Sequence, residues 1–171
     1  SEAGFWVGGP GALAGFLGVI AGGRIADHLR KTNPAGRILV VLLAPLVSMV
    51  PFVIAFTTDS ATIFYAAHFC AAIFTSAALG GTAATTQDLV LPRMRGVATA
   101  TFFLATTLVG LSLGPYMAGQ VSSVTGNLAT GILSVMAVAP ISAILLILAY
   151  RSLPVAEASL VARARDAGEP I

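Results

Sequence analysis

Side chains able to do acid–base or metal chemistry are sparse in this sequence, and their spacing excludes most reactions. His68 stands inside a long run that contains no charged residue. An imidazole held there needs a hydrogen-bond partner, so two readings stand: a structural histidine bonded to a neighbouring helix, or a proton or substrate contact. His28 belongs to a separate, strongly basic segment, so the two histidines are not expected to share a metal. Cys70 is the single cysteine, which makes neither an internal disulfide nor a cysteine cage, and its apolar surroundings suggest an inert core thiol. There is no HExxH, GxSxG or phosphate-binding glycine loop. The uncharged runs hold no carboxylate for general acid–base work. We therefore expect no enzyme, no cofactor and no metal. Hydroxyls are plentiful instead, with Thr75, Thr82, Thr86 and Thr106 as candidates for lining a polar path.

Those residues must be positioned by helices in lipid. Hydrophobic residues make up 57% of the 171 and charged residues 9%, with a mean hydropathy of +0.92. Soluble domains carry about 25% charged residues, so the solvent here is mostly hydrocarbon. A net charge of +2 without a basic patch and interleaved aromatics excludes a nucleic-acid partner. Residues 3–23, 38–58, 60–87 and 96–150 lack Asp, Glu, Lys and Arg. A membrane helix needs roughly 20 apolar residues. The fourth run is long enough for two, and "SVTGN" (residues 123–127) supplies turn chemistry within it. The expected fold is an all-α membrane protein with five spans, about 4–23, 38–58, 61–87, 97–122 and 128–150, then a polar tail over 151–171. The first span has no basic leader and further spans follow it, which argues against a signal peptide.

All nine basic residues fall on one side of those spans. Arg24, Arg30, Lys31 and Arg37 follow span one, Arg93 and Arg95 follow span three, and Arg151, Arg163 and Arg165 follow span five. Lys and Arg collect in cytoplasmic loops. The sequence thus predicts a multi-pass protein of the inner (plasma) membrane with its C-terminus in the cytoplasm. An external start, an odd span count and Ser at position 1 suggest a piece of a longer chain.

Three helix faces stand out. Gly4, Gly8, Gly11, Gly15, Gly18 and Gly22 lie within about 40° of one direction on span one. Small residues let helix backbones approach in lipid. Static packing and a sliding or rocking surface both explain the stripe. On span three, His68, Ala72, Thr75, Leu79, Thr82 and Thr86 share a side, with Gln87 and Asp88 following. A polar stripe faces the protein interior or a water-filled cavity, although threonine hydroxyls can also return to their own backbone. Span four aligns Thr99, Thr106, Gly110, Gly114 and Met117, and Pro115 is expected to kink it.

The connector Gly23-x-x-x-Asp27-His28-x-x-Lys31 resembles the loop signature G-x-x-x-D-(R/K)-x-G-(R/K)-(R/K) of the major facilitator superfamily. His28, Arg30 and Thr32 depart from it. We read the segment as a tight hairpin, and the resemblance implies that its Asp27 latches a helix end. "LPRMRGVATATFFLATTLVGLSLGPYMAGQVSSVTG" is similar to the tenth-to-eleventh helix region of that superfamily, in particular of its spinster-like members, and Gly110-x-x-x-Gly114-Pro115 echoes the antiporter motif of the symmetry-related fifth helix. The resemblance implies the C-terminal half of a major facilitator fold, helices eight to twelve, with spans one, three and four lining a cavity and two and five outside. It further implies a secondary transporter working by alternating access, proton- or gradient-coupled, for a lysolipid, sphingoid or related amphiphile. The partners implied are membrane lipid and an N-terminal half of the same protein. A non-transporting membrane scaffold, with the glycine stripe as docking face, is the alternative.

Overall fold

In the computed structural model, described for residues 2–166 and 168, the chain is helical almost throughout. Helix α1 (Glu2–Arg30), α2 (Gly36–Thr57) and α3 (Ala61–Asp88) come first. A 3₁₀ turn (Pro92–Met94) opens α4 (Arg95–Ala105), which passes through a π-helical turn (Thr106–Leu111) into α5 (Ser112–Thr125). Then α6 (Leu128–Ser134) and a 3₁₀ turn (Val135–Val138) lead to α7 (Ala139–Asp166). Five stretches are long and apolar enough to cross a membrane: Gly8–Arg30, Gly36–Thr57, Ala61–Asp88, Pro92–Thr125 and Leu128–Asp166. The chain is an all-α membrane protein.

Two boundaries differ from expectation. The segment read as a hairpin is mostly helix, because α1 runs through Gly23, Asp27 and His28 to Arg30. Ala26, Leu29 and the two arginines favour helix, and His28 and Arg30 in the last turn suit its negative dipole end. The chain turns only at residues 31–35, where Pro34 disfavours the helical conformation of Asn33. The expected tail is also helical, since α7 continues past Tyr150 to Asp166 with Pro154 inside it. Residues 167 and 169–171, and the surroundings of Gly4, lie outside the described residues.

Packing centres on α3, which lies against both α1 and α2. Most of the buried residues are small, among them Ala14, Ala26, Ala44, Ala71 and Ala77. A Cβ added to Gly18 would fall 2.9 Å from Ser76 Cβ, and one on Gly22 2.6 Å from Ala77 Cβ. These two positions bring α1 against the α3 backbone closer than any side chain allows. Gly15 is looser, 3.8 Å from Ser76 Oγ, and Gly8 and Gly11 face open space. Large side chains such as Phe16, Val50, Leu111 and Tyr116 point outward. A bundle in lipid inverts the soluble pattern, because hydrocarbon outside is as apolar as leucine and close backbone packing holds the helices. Cys70 is exposed rather than buried in a core; α3 turns Ala71, Ala77 and Gly81 inward instead.

The irregularity expected at Pro115 falls one turn earlier. Proline cannot bond the carbonyl four residues back, that of Leu111, and its ring crowds it. The π turn ending at Leu111 widens the helix just there. Gly110 and Gly114 have nothing within 4 Å of a Cβ position, so they form no helix contact among the described residues. The "SVTGN" turn is formed by Gly126 in the left-handed region (φ 67°) and by Asn127, whose side chain caps α6 by accepting from the Thr130 N–H at 3.2 Å.

Candidate functional site

Charged residues on four helices converge at the end of the bundle that carries the basic residues. Arg37, at the start of α2, donates from Nε (2.9 Å) and Nη2 (2.6 Å) to Asp27 Oδ1 on α1. Its Nη1 also pairs with Asp88 Oδ2 at the end of α3. Arg30, on the last turn of α1, pairs through Nη1 with the same Asp88 oxygen, and through Nη2 with Glu157 Oε1 of α7 at 3.4 Å. Asp88 is thus the hub of a cluster of two guanidinium groups and three carboxylates. Its side chain is 25% exposed and that of Arg37 17%, whereas Asp27 is 61% exposed. Exposed pairs contribute about 0–1 kcal/mol; the half-buried hub contributes more, because without it two adjacent guanidinium groups would keep only Asp27 and Glu157 at the cluster's edges.

Neutral contacts reinforce the same end. Asn33 Nδ2 donates to Tyr150 Oη at 2.9 Å, while Asn33 Oδ1 accepts from the Ala35 N–H at 3.0 Å. Ala35, Ile38 and Leu153 form a small apolar core, flanked by Leu89, Ala149 and Tyr150. Each ionic partner sits on a different helix from its mate. Relative sliding or tilting of α1, α2, α3 and α7 at this end must therefore break charge pairs, which is the physical content of a latch.

The motif residues divide. Asp27 joins the cluster, while His28 and Lys31 are exposed and outside it among the described residues. Gly23 has nothing within 4 Å of a Cβ position, although Gly80 of α3 approaches it, an added Cβ there lying 3.4 Å from Gly23 Cα. Sequence reasoning missed Arg30, Arg37, Asp88 and Glu157 as one group. The available signal was that each is a charge at a span end; which of them meet depends on separations as large as 127 residues.

The threonines of α3 border more than one groove. Thr75 lines a groove between α2 and the α6–α7 junction, and Thr82 and Thr86 line another among α2, α3 and α7. Their hydroxyls donate to the carbonyls of Ala71, Ala78 and Thr82 at 2.7–2.9 Å. Thr106, on the π turn, is exposed and donates to Phe102 and Phe103 carbonyls. Thr99 is bound further, accepting from Gln87 Nε2 at 3.1 Å. His68 stacks on Phe64 with ring centroids 5.8 Å apart and planes 6° from parallel. Its Nδ1 is buried and has no hydrogen-bond partner among the described residues.

No family model matches the chain, and no solved structure matches it. Over 118 residues, 67% of its length, the chain is 35% identical to a protein of Mycolicibacterium smegmatis described as an MFS-type efflux pump. That match covers 27% of the relative, so the chain spans only about a quarter of the protein it resembles. Together with five helical stretches of membrane-crossing length, this similarity supports the major facilitator superfamily.

Proposed function

We propose that this chain is the C-terminal portion, helices eight to twelve, of a secondary active transporter of the spinster-like type. It moves an amphiphilic, lipid-like small molecule by alternating access, driven by a proton or other ion gradient, and in the outward direction. The 35% identity to an efflux pump over 118 residues carries the reading. The basic end faces the cytoplasm, and the Asp27–Arg37–Asp88–Arg30–Glu157 cluster closes it in one conformation.

The geometry is compatible with a missing second half. The stretch from α4 through the π turn into α5 has no buried residue, and Thr106, Gly110 and Gly114 are open on it. Gly8 and Gly11 on α1 are open as well. In this reading those faces meet the N-terminal half, and the substrate binds between the halves near mid-membrane. The His68 imidazole is the candidate proton or substrate contact, with its unmatched Nδ1 awaiting a partner. These cavity faces hold no fixed charge, which suits an amphiphile better than a small acid.

Liposome flux tests the proposal. The protein extended by its N-terminal half should show saturable, gradient-driven movement of a lysolipid or sphingoid substrate, and these 171 residues by themselves should insert without transporting. Gradient-driven flux by the shorter chain would sink the half-transporter reading. Failure of the extended protein to move any amphiphile would sink the substrate class.

A further inference from the structure

We infer a binding site for one anionic membrane phospholipid along the seam where α7 meets α2 and α3, with an acyl chain in the seam and the headgroup phosphate at Arg163. The site is separate from any substrate cavity between halves, and it requires only that the chain spans a membrane.

The seam is a line of three cavities. At the basic end lies one of about 200 Å³, walled by Val41, Leu89, Leu146 and Leu153. Leu146 also borders a narrow cavity of about 30 Å³ against Pro45 and Ser142. Those two residues in turn border a third, of about 320 Å³, below Phe52 and Met136. The gap has a local cause. Pro45 and Pro51 lie within α2, and the 3₁₀ turn Val135–Val138 precedes α7; both depart from the regular side-chain ridges by which helices pack closely. An empty gap forfeits dispersion contacts along its whole lining.

Chemistry selects the occupant. The seam contains hydroxyls, yet their donors are already used. Thr82, Thr85 and Thr86 donate to helix carbonyls within α3 at 2.7–2.9 Å, Ser48 to the Pro45 carbonyl at 2.7 Å and Ser152 to that of Ala149 at 3.2 Å. No donor in the seam calls for a polar solute, so methylenes fit it. Along α7, Ala156 and Leu146 at the two ends of the first cavity are about 15 Å apart.

Charge appears only at the mouth. Arg163 reaches back along α7, as long basic side chains do near an interface. Its Nη2 donates to the carbonyls of Ala156 (3.3 Å) and Leu89 (3.4 Å), both of which line the first cavity. No ion pair joins it to a carboxylate among the described residues, neither to Asp166, the acid nearest in sequence on α7, nor to Glu157, which is turned to Arg30. A guanidinium fork at the mouth of an apolar slot matches a phosphate with an attached acyl chain.

The test is photolabelling of the full chain in phosphatidylcholine nanodiscs, with trace phosphatidylglycerol or phosphatidylcholine bearing the same photoreactive acyl chain, and adduct sites mapped by mass spectrometry. Phosphatidylglycerol should label the Val41 and Leu146 regions about fivefold more than phosphatidylcholine. Arg163→Gln should bring the two lipids level, and Arg163→Lys should keep the preference. Leu146→Trp, which fills the slot, should remove adducts near Val41 with Arg163 intact. Excess glycerol phosphate should not compete; if it does, the site takes a free phosphate and the acyl chain has no part. Equal labelling by the two lipids in the unaltered chain, or a preference that survives Arg163→Gln, would overturn the site. The readout is binding, so absent transport would count against the proposed function and leave this inference standing.

Discussion

Asp88 accepts pairs from two arginines on one carboxylate oxygen. Removing its charge would leave two guanidinium groups facing each other across α1 and α2, each half-buried. Asp88→Asn should therefore lower stability by about 1–3 kcal/mol, read as an earlier thermal unfolding midpoint in detergent. Asp27 is mostly exposed, so Asp27→Asn should cost less than about 1 kcal/mol while lowering transport in the complete protein. Normal transport kinetics in that variant would reduce the Gly23–Asp27 resemblance to decoration. His68 presents a different choice. If its unmatched nitrogen meets a proton or substrate, His68→Ala should change affinity or the pH profile of uptake; an unchanged profile with a lower protein yield would leave it a structural residue stacked on Phe64.

At the scale of elements, the glycine stripe has two different halves. Gly18 and Gly22 sit where a Cβ would collide with α3, while Gly8 and Gly11 have room. Gly22→Ala should push α1 from α3 at a cost of about 1–3 kcal/mol, because the obstructing atoms are the Ala77 backbone and Cβ and cannot rotate away. Gly11→Ala should be neutral or stabilise the isolated chain by about 0.5–1 kcal/mol through helix propensity. Both follow from thermal unfolding of the same preparation. Equal effects at the two positions would mean that the stripe packs uniformly. The angular pattern of the glycines was legible in sequence, but which of them meet a neighbour was not, since that depends on the crossing point of α1 and α3. The threonine face has the same limit: position on one side of α3 says nothing of which helix lies opposite, and α2 and α7 border it, with α4 also beside Thr86.

For the whole molecule, the proposed orientation rests on the one-sided placement of all nine basic residues. Thr32 is exposed in the turn between α1 and α2. In a background lacking Cys70, which is itself exposed, Thr32→Cys should resist an impermeant maleimide in intact cells and react in inside-out vesicles. Labelling in intact cells would reverse the topology. The same end holds the ionic cluster and the Ala35–Ile38–Leu153 core, so it is the better-tied end of the bundle. The α4–α5 stretch, by contrast, has no buried residue along its length.

The sequence by itself determined class and span number, because hydropathy and charge spacing act locally and a bilayer admits few solutions for an uncharged run of about 20 residues. It also determined the turn at Gly126 and Asn127, where left-handed backbone and a capping side chain are properties of those residues. Helix ends were less legible: α1 and α7 run on past the apolar segments, since arginine and alanine extend a helix as readily outside lipid as within it. Only the tertiary structure decided that Arg37 bridges Asp27 and Asp88, that Arg30 reaches Glu157, and that Thr82 faces α7. Those meetings are set by helix crossing and rotation, which depend on the fit of distant side chains and leave no period in the sequence.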